Sequence, residues 1–134
     1  MPTIRSFRDL EVYKLAREQS KVNYQTTAAF PKEEMYSLTN QVRRSSRAVN
    51  AMIAEAWARR RYPAVFTNKL NEALGEATET QAWLDHAADC GYINNTRHRE
   101  LNAQWESVAA MLFRMIQRSS DFCRSVKSGD NGEV

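Results

Sequence analysis

Glycine, proline, cysteine and histidine are all scarce in this chain: four, three, two and two of 134 residues. Glycines this few leave no phosphate-cradling loop, since Gly75 and Gly91 stand alone. Prolines this few, placed between periodic stretches, suit long uninterrupted helices. Two cysteines make no disulfide framework. Cys90 would end one helix and Cys123 would lie near the far end of the next, about 40 Å away at 1.5 Å per residue, so they are not expected to pair. With His86 and His98 as the only histidines, no Ser or Cys has a plausible His–acid pair, and no Glu stands three residues before either of them, as a di-iron bundle would require. No apolar run approaches the ~18 residues of a membrane span. The opening MPTIRSFRDLE has no apolar core, so a signal peptide is not expected. Free thiols and no export signal predict a cytoplasmic protein, and the missing motifs predict no cofactor and no catalysis.

What the chain has is helical periodicity. Helices are predicted over about 8–29, 32–60, 64–90 and 95–127, with 128–134 a disordered tail and 1–127 a single domain. The first carries a stripe of Leu10, Tyr13, Ala16, Ser20, Tyr24 and Thr27, with Val12, Leu15, Val22 and Ala29 on a weaker second one. The second opens at Pro31, well placed at a first helical position, and repeats Met35, Leu38, Val42, Val49, Ile53 and Ala56, with Ser45 and Ser46 in the middle turn. It must end near Arg59–Arg61, because Arg60 falls back on the seam. The third turns Phe66, Leu70, Ala73, Ala77, Leu84 and Ala88 inward and closes at Gly91. The fourth has the most regular repeat: Leu101, Trp105, Val108, Leu112, Met115, Ser119, Phe122 and Val126. Four such helices joined by short turns predict an all-α, up-down-up-down antiparallel four-helix bundle.

Charge is concentrated. Residues 43–61 hold six arginines (Arg43, Arg44, Arg47, Arg59, Arg60 and Arg61) against Glu55, a balance of +5. The whole chain is +3, so the remainder sums to −2. At about 100° per residue, Arg43, Arg47 and Arg61 share a line roughly 130° from the seam, with Tyr36, Asn40, Asn50 and Trp57 near it. Guanidinium forks suit phosphates, and neighbouring aromatics could stack bases, so RNA or DNA is the expected ligand of this face. The competing reading is that exposed arginines pair with carboxylates. Glu72, Glu76, Glu79 and Trp83 form such a line on the third helix. It could salt-bridge a neighbouring helix, hold a divalent cation, or meet the Arg and Trp57 strip of another protomer. His86, Cys90 and His98 make a possible metal set, but the spacing matches no closed zinc motif, and no metal is expected.

Three stretches carry a family resemblance: Phe7-Arg-Asp-Leu-Glu-Val-Tyr, then FPKEEMYSLTNQVRR from Phe30, then Ile53-Ala-Glu-Ala-Trp-Ala-Arg. With Phe66, Leu70, Ala73-Leu-Gly75, Glu79 and Gly91-Tyr-Ile, they resemble the 23S rRNA intervening-sequence proteins over roughly residues 7–93, with the fourth helix similar in pattern only. The resemblance implies a four-helix bundle, often a homopentamer, without known catalysis. A related branch, the accessory variability proteins of diversity-generating retroelements, works with a reverse transcriptase and binds nucleic acid through basic surface. Carried across, Arg43, Arg44 and Arg59 match family arginines. The chain departs at Met52-Ile-Ala-Glu-Ala56, where the family usually has Asn-Ile-Ala-Glu-Gly, and at Gly75-Glu76, where it has Gly-Ser. Any polar site made by those residues is thereby put in doubt.

Overall fold

A computed structural model of the chain describes residues 3–123. Within them the chain forms four long helices: α1 (Glu11–Thr27), α2 (Asn40–Ala58), α3 (Pro63–Asp89) and α4 (Asn95–Gln117), followed by a short α5 (Ser119–Phe122). No strand occurs among the described residues. Each long helix packs on the next, and α1 also meets α4, which closes the antiparallel bundle around one core. The expected seam position Val126 and the tail 128–134 lie outside the described residues.

The helix ends follow local chemistry. A one-turn 3₁₀ helix, Phe7–Asp9, leads into α1. The Ser6 hydroxyl accepts from the Arg8 N–H and the Asp9 carboxylate accepts from the Ser6 N–H, a reciprocal cap. The N–H groups of Arg5 and Ser6 hold the Asp9 carboxyl below the usual carboxylate range. Pro63 occupies the first turn of α3. At the other end of α3, Gly91 has φ +76°, the Gly91 N–H bonds the Ala88 carbonyl, and the Tyr92 N–H reaches back to Ala87. That paired pattern is the Schellman motif, and it needs the left-handed conformation that glycine adopts without strain. Asn94 caps α4, its side chain accepting from the Arg97 N–H at 2.7 Å.

The core is continuous. Val42, Val49, Ile53, Phe66, Leu70, Leu84, Trp105, Val108 and Leu112 are fully buried, each large apolar side chain contributing about 1.5–3 kcal/mol. Helix α3 buries nearly the residues its periodicity names. Helix α4 buries Leu101, Trp105, Val108, Leu112 and Met115 but ends at Gln117, where Arg118 leaves helical geometry. Ser119 and Phe122, expected in its seam, therefore sit half-buried on the separate α5 turn. On α3, Thr80 and Ala87 are buried while Ala88 is half-buried.

Three expectations are corrected. First, α1 is rotated from the expected stripe. Gln19 and Asn23 are buried, whereas Tyr13 and Ser20 are half-buried and Tyr24 is 49% exposed. Asn23 is tolerated inside because its amide donates to the Ser46 hydroxyl on α2 at 2.9 Å. Second, residues 32–60 are not one helix. A 3₁₀ turn, Lys32–Glu34, runs into a kink with non-helical Tyr36 and Ser37, and α2 begins only at Asn40. The Glu34 carboxylate explains the break: it accepts from the Ser37 hydroxyl (3.0 Å), the Leu38 N–H (3.4 Å) and the Tyr92 hydroxyl (2.7 Å), taking over a donor that a helical carbonyl would otherwise bind. Those bonds hold the Glu34 carboxyl low and push the Tyr92 phenol up to about 12. The slip in helical phase leaves Met35, expected in the seam, 42% exposed. Third, Trp57 is not on the basic face. It is buried in the core, and the Arg60 guanidinium covers it at 3.6 Å from the ring centroid, tied by an N–H to the Trp57 carbonyl. Helix α2 ends at Ala58, ahead of Arg60 as its seam position demands.

Candidate nucleic-acid interface

The six arginines of residues 43–61 form separate groups. Helix rise alone puts Arg59 about 18 Å beyond Arg47, and each group meets a different neighbour.

Arg44 faces α3. Its guanidinium reaches Glu76 at 3.4 Å and also binds Glu79, and its Nε–H contacts Gln41. Glu79 also accepts from the Trp83 indole N–H at 3.2 Å. The next acid along, Glu72, is met by Lys69 at 3.5 Å and by the Asn68 amide, and Lys69 crosses to Glu55 of α2 at 3.2 Å. Bonding and attraction to Glu55, then Glu72, raise the Lys69 ammonium above its ordinary pKa. The acidic line is thus taken up by cations of its own chain. Half-exposed pairs of this kind contribute about 0–1 kcal/mol each. What they change is how much charge α2 shows on this side.

Arg43 and Arg47 face α1 and meet no carboxylate among the described residues. The Arg43 Nε–H donates to the Thr27 hydroxyl at 2.8 Å, and an Nη2 hydrogen points to the Tyr24 carbonyl at 3.4 Å. The Thr27 hydroxyl in turn donates to the Asn23 carbonyl. Both guanidiniums lie against the Tyr24 ring, with Cζ 4.3 Å (Arg43) and 5.6 Å (Arg47) from its centroid. A cation over an aromatic face is held without being neutralised.

Beside them runs a shallow groove of about 320 Å³ between α1 and α2, lined by Tyr13, Arg17, Ser20, Lys21, Tyr24, Arg47 and Asn50. Arg17 and Lys21 also line an adjoining hollow with Lys14 and Glu18. The cations of α1 were not singled out in the sequence. Their signal was there: Lys14, Arg17 and Lys21 at steps of three and four share one helix face. Reading Tyr24 as inward turned that face away from α2. Arg59 and Arg61 are exposed past the end of α2, away from this groove.

The weighed metal set is not assembled. His98 Nε2 lies 2.8 Å from Asp85, the His86 ring lies near Trp83, and Cys90 is exposed. Among the described residues no group of three or more His, Cys, Asp or Glu side chains is placed to hold a metal ion, and no helix is long and apolar enough to cross a membrane.

These features define an antiparallel four-helix-bundle protein with a basic groove on one face. The family model for the 23S rRNA-intervening sequence protein matches residues 8–114, and the chain belongs to that family. It is similar to a crystal structure of a protein with unknown function from the S23 ribosomal protein family of Bacteroides thetaiotaomicron. The two share 27% identity with a TM-score of 0.72, over 79% of this chain and 95% of that one. No curated protein matches the chain.

Proposed function

We propose that this protein is a non-enzymatic, cytoplasmic homo-oligomer that binds RNA or DNA through the α1–α2 groove. The observation that carries the reading is the contrast in partners: Arg43 and Arg47 are held by a ring and neutral oxygens, and Arg17 and Lys21 stand across from them. That leaves a cluster of positive charge in which Arg43 and Arg47 are anchored and Arg17 and Lys21 are exposed. Such a cluster contacts phosphates and reads little sequence.

Relative to the arginine face expected from the sequence, the site moves. Arg43 and Arg47 stay in it, Arg17 and Lys21 join it, and Arg44 is largely neutralised by Glu76 and Glu79. Arg59 and Arg61 extend the basic surface beyond the end of α2. One chain at +3 makes a weak field. A ring of copies, a pentamer by family resemblance, multiplies the grooves and so the attraction. A reverse transcriptase, the partner of the related retroelement branch, remains a candidate partner on resemblance alone. The scaffold alternative, in which Arg and Glu strips of different protomers pair, has less charge to work with, because Glu72, Glu76 and Glu79 already have partners within the chain.

Fluorescence anisotropy with structured RNA and duplex DNA tests the reading, at about 50 and 200 mM salt, alongside light scattering for the oligomer mass. Binding that weakens steeply with salt is expected, about 0.9 in log–log slope for each phosphate neutralised. Absence of binding at the lower salt concentration would reject it.

A further inference from the structure

The aromatic residues of the groove settle which part of a nucleic acid it can take, granted the nucleic-acid reading above. Proteins that grip single strands present open aromatic faces on which bases stack. Neither tyrosine of this groove is open in that way. Tyr13 is half-buried and meets Phe7 in a T-shaped contact, with centroids 4.9 Å apart. Tyr24 is half-exposed, yet its ring carries Arg43 at 4.3 Å and Arg47 at 5.6 Å. Arg43 cannot swing aside cheaply, because Thr27 and the Tyr24 carbonyl hold it by two further bonds. A base stacking on the covered face of Tyr24 would have to break all three contacts. Arg47 has no such side-chain bonds among the described residues, and its orientation depends on the ring.

We propose that Tyr24 and Thr27 are positioning residues that fix the Arg43 and Arg47 forks for backbone phosphates, and that the groove selects double-helical nucleic acid over unpaired strands. A duplex presents two rows of phosphates on a stiff surface and asks for no stacking platform. Two anchored forks (Arg43 and Arg47) with the exposed cations Arg17 and Lys21 beside them supply what such a surface needs. The Tyr24 hydroxyl plays no part: the ring face is what the guanidiniums rest on.

The test compares wild-type protein with Tyr24→Phe, Tyr24→Leu, Arg47→Ala and the Tyr24→Leu/Arg47→Ala double variant. The probes are a short mixed-sequence DNA duplex and a thymidine homopolymer of the same length, each titrated across a salt series. The duplex should bind more tightly than the homopolymer. Tyr24→Phe should behave as wild type, and Tyr24→Leu should lose about two- to fivefold on the duplex, the scale of an exposed cation–π contact. Arg47→Ala should lower the salt slope by about 1, and adding Tyr24→Leu to it should cost less than Tyr24→Leu costs alone. A purely structural role for Tyr24 would change thermal stability but would not reproduce that non-additivity or the rescue by Phe. If Tyr24→Leu does not fold, Thr27→Val, which loosens Arg43 alone, takes its place and should also weaken duplex binding.

Tighter binding of the homopolymer, lost selectively in Tyr24→Leu, would make Tyr24 a stacking platform and overturn the inference while leaving nucleic-acid binding intact. Strict additivity of the double variant would likewise overturn it. Unchanged affinity for both probes in Arg47→Ala and in Arg17→Ala/Lys21→Ala would remove the nucleic-acid reading itself, and the inference with it.

Discussion

Arg43 and Arg44 are neighbours in sequence and opposites in circumstance. One turns to α1 and finds a hydroxyl, a carbonyl and an aromatic ring; the other turns to α3 and finds two carboxylates. Both are anchored by their neighbours, but among the described residues only the first meets no carboxylate. The availability of a surface arginine is therefore a property of the helix beside it. A count of arginines along α2 cannot say which of them are free, and a +5 segment can show much less than that to a ligand.

Breaking the comparison outright gives the largest effect. Arg43→Ala/Arg47→Ala should reduce affinity for duplex nucleic acid by about 10- to 100-fold and lower the salt slope by about 2, whereas Arg44→Ala should stay within about twofold of wild type. Anisotropy titrations at several salt concentrations read both quantities. Equal losses in the two variants would mean that the carboxylates of α3 do not shield Arg44. Next in size is the buried polar contact between α1 and α2. Asn23→Ala removes the buried bond to Ser46 and should cost about 1–2 kcal/mol in a denaturant titration. Ser46 still donates to the Val42 carbonyl, which keeps the loss moderate.

A smaller effect sharpens the contrast from the other side. Glu76→Gln/Glu79→Gln unmasks Arg44 and removes two negative charges. Nucleic-acid binding should tighten by a few-fold, with the stability change within about 1 kcal/mol because the pairs are half-exposed. The smallest concerns the turn that starts α2. Glu34 is held below its ordinary pKa, so its bonds to Tyr92, Ser37 and Leu38 are present above the unfolded carboxyl value and are lost as pH falls through the lower folded one. Thermal melts between neutral and strongly acidic pH should therefore show a slightly smaller acid-induced loss in Glu34→Gln than in wild type. The Tyr92 phenol, raised to about 12 by the same bond, keeps that contribution below its ordinary pKa and loses it as pH climbs through about 12. Tyr92→Phe should abolish that late step in an absorbance titration of the tyrosines.

The bundle was legible because its strongest signals are local. The repeat Leu101, Trp105, Val108, Leu112 and Met115 names the buried face of α4 directly, and Gly91 and Asn94 stop and start helices through their own conformational preferences. Where the sequence misled, the cause lay across the bundle. Asn23 reads as a surface residue until Ser46 is opposite it, and Tyr24 reads as core until two arginines cover it. No glycine or proline marks the kink at Tyr36–Ser37: what holds it is the Glu34 carboxylate, bonded to Ser37 and Leu38 and fixed in turn by Tyr92, far along the chain. For the same reason the six arginines do not share one face. Spacing put Arg43 and Arg47 on one side of α2, but nothing in the spacing assigned Arg44 to Glu76 and Glu79, or Arg60 to the Trp57 ring.

The three tryptophans sit in three different settings, and that gives the protein a built-in optical readout. Trp105 is sealed in the core, with no hydrogen-bond partner for its indole nitrogen among the described residues, so its emission belongs at the blue end. Trp57 lies under the Arg60 guanidinium at the end of α2. Trp83 is half-buried and bonded to Glu79, a carboxylate that also holds Arg44, so its colour and intensity follow the state of that ion pair. Single-tryptophan variants would let one cuvette report separately on the core, on the end of α2 and on the charge shield of α3.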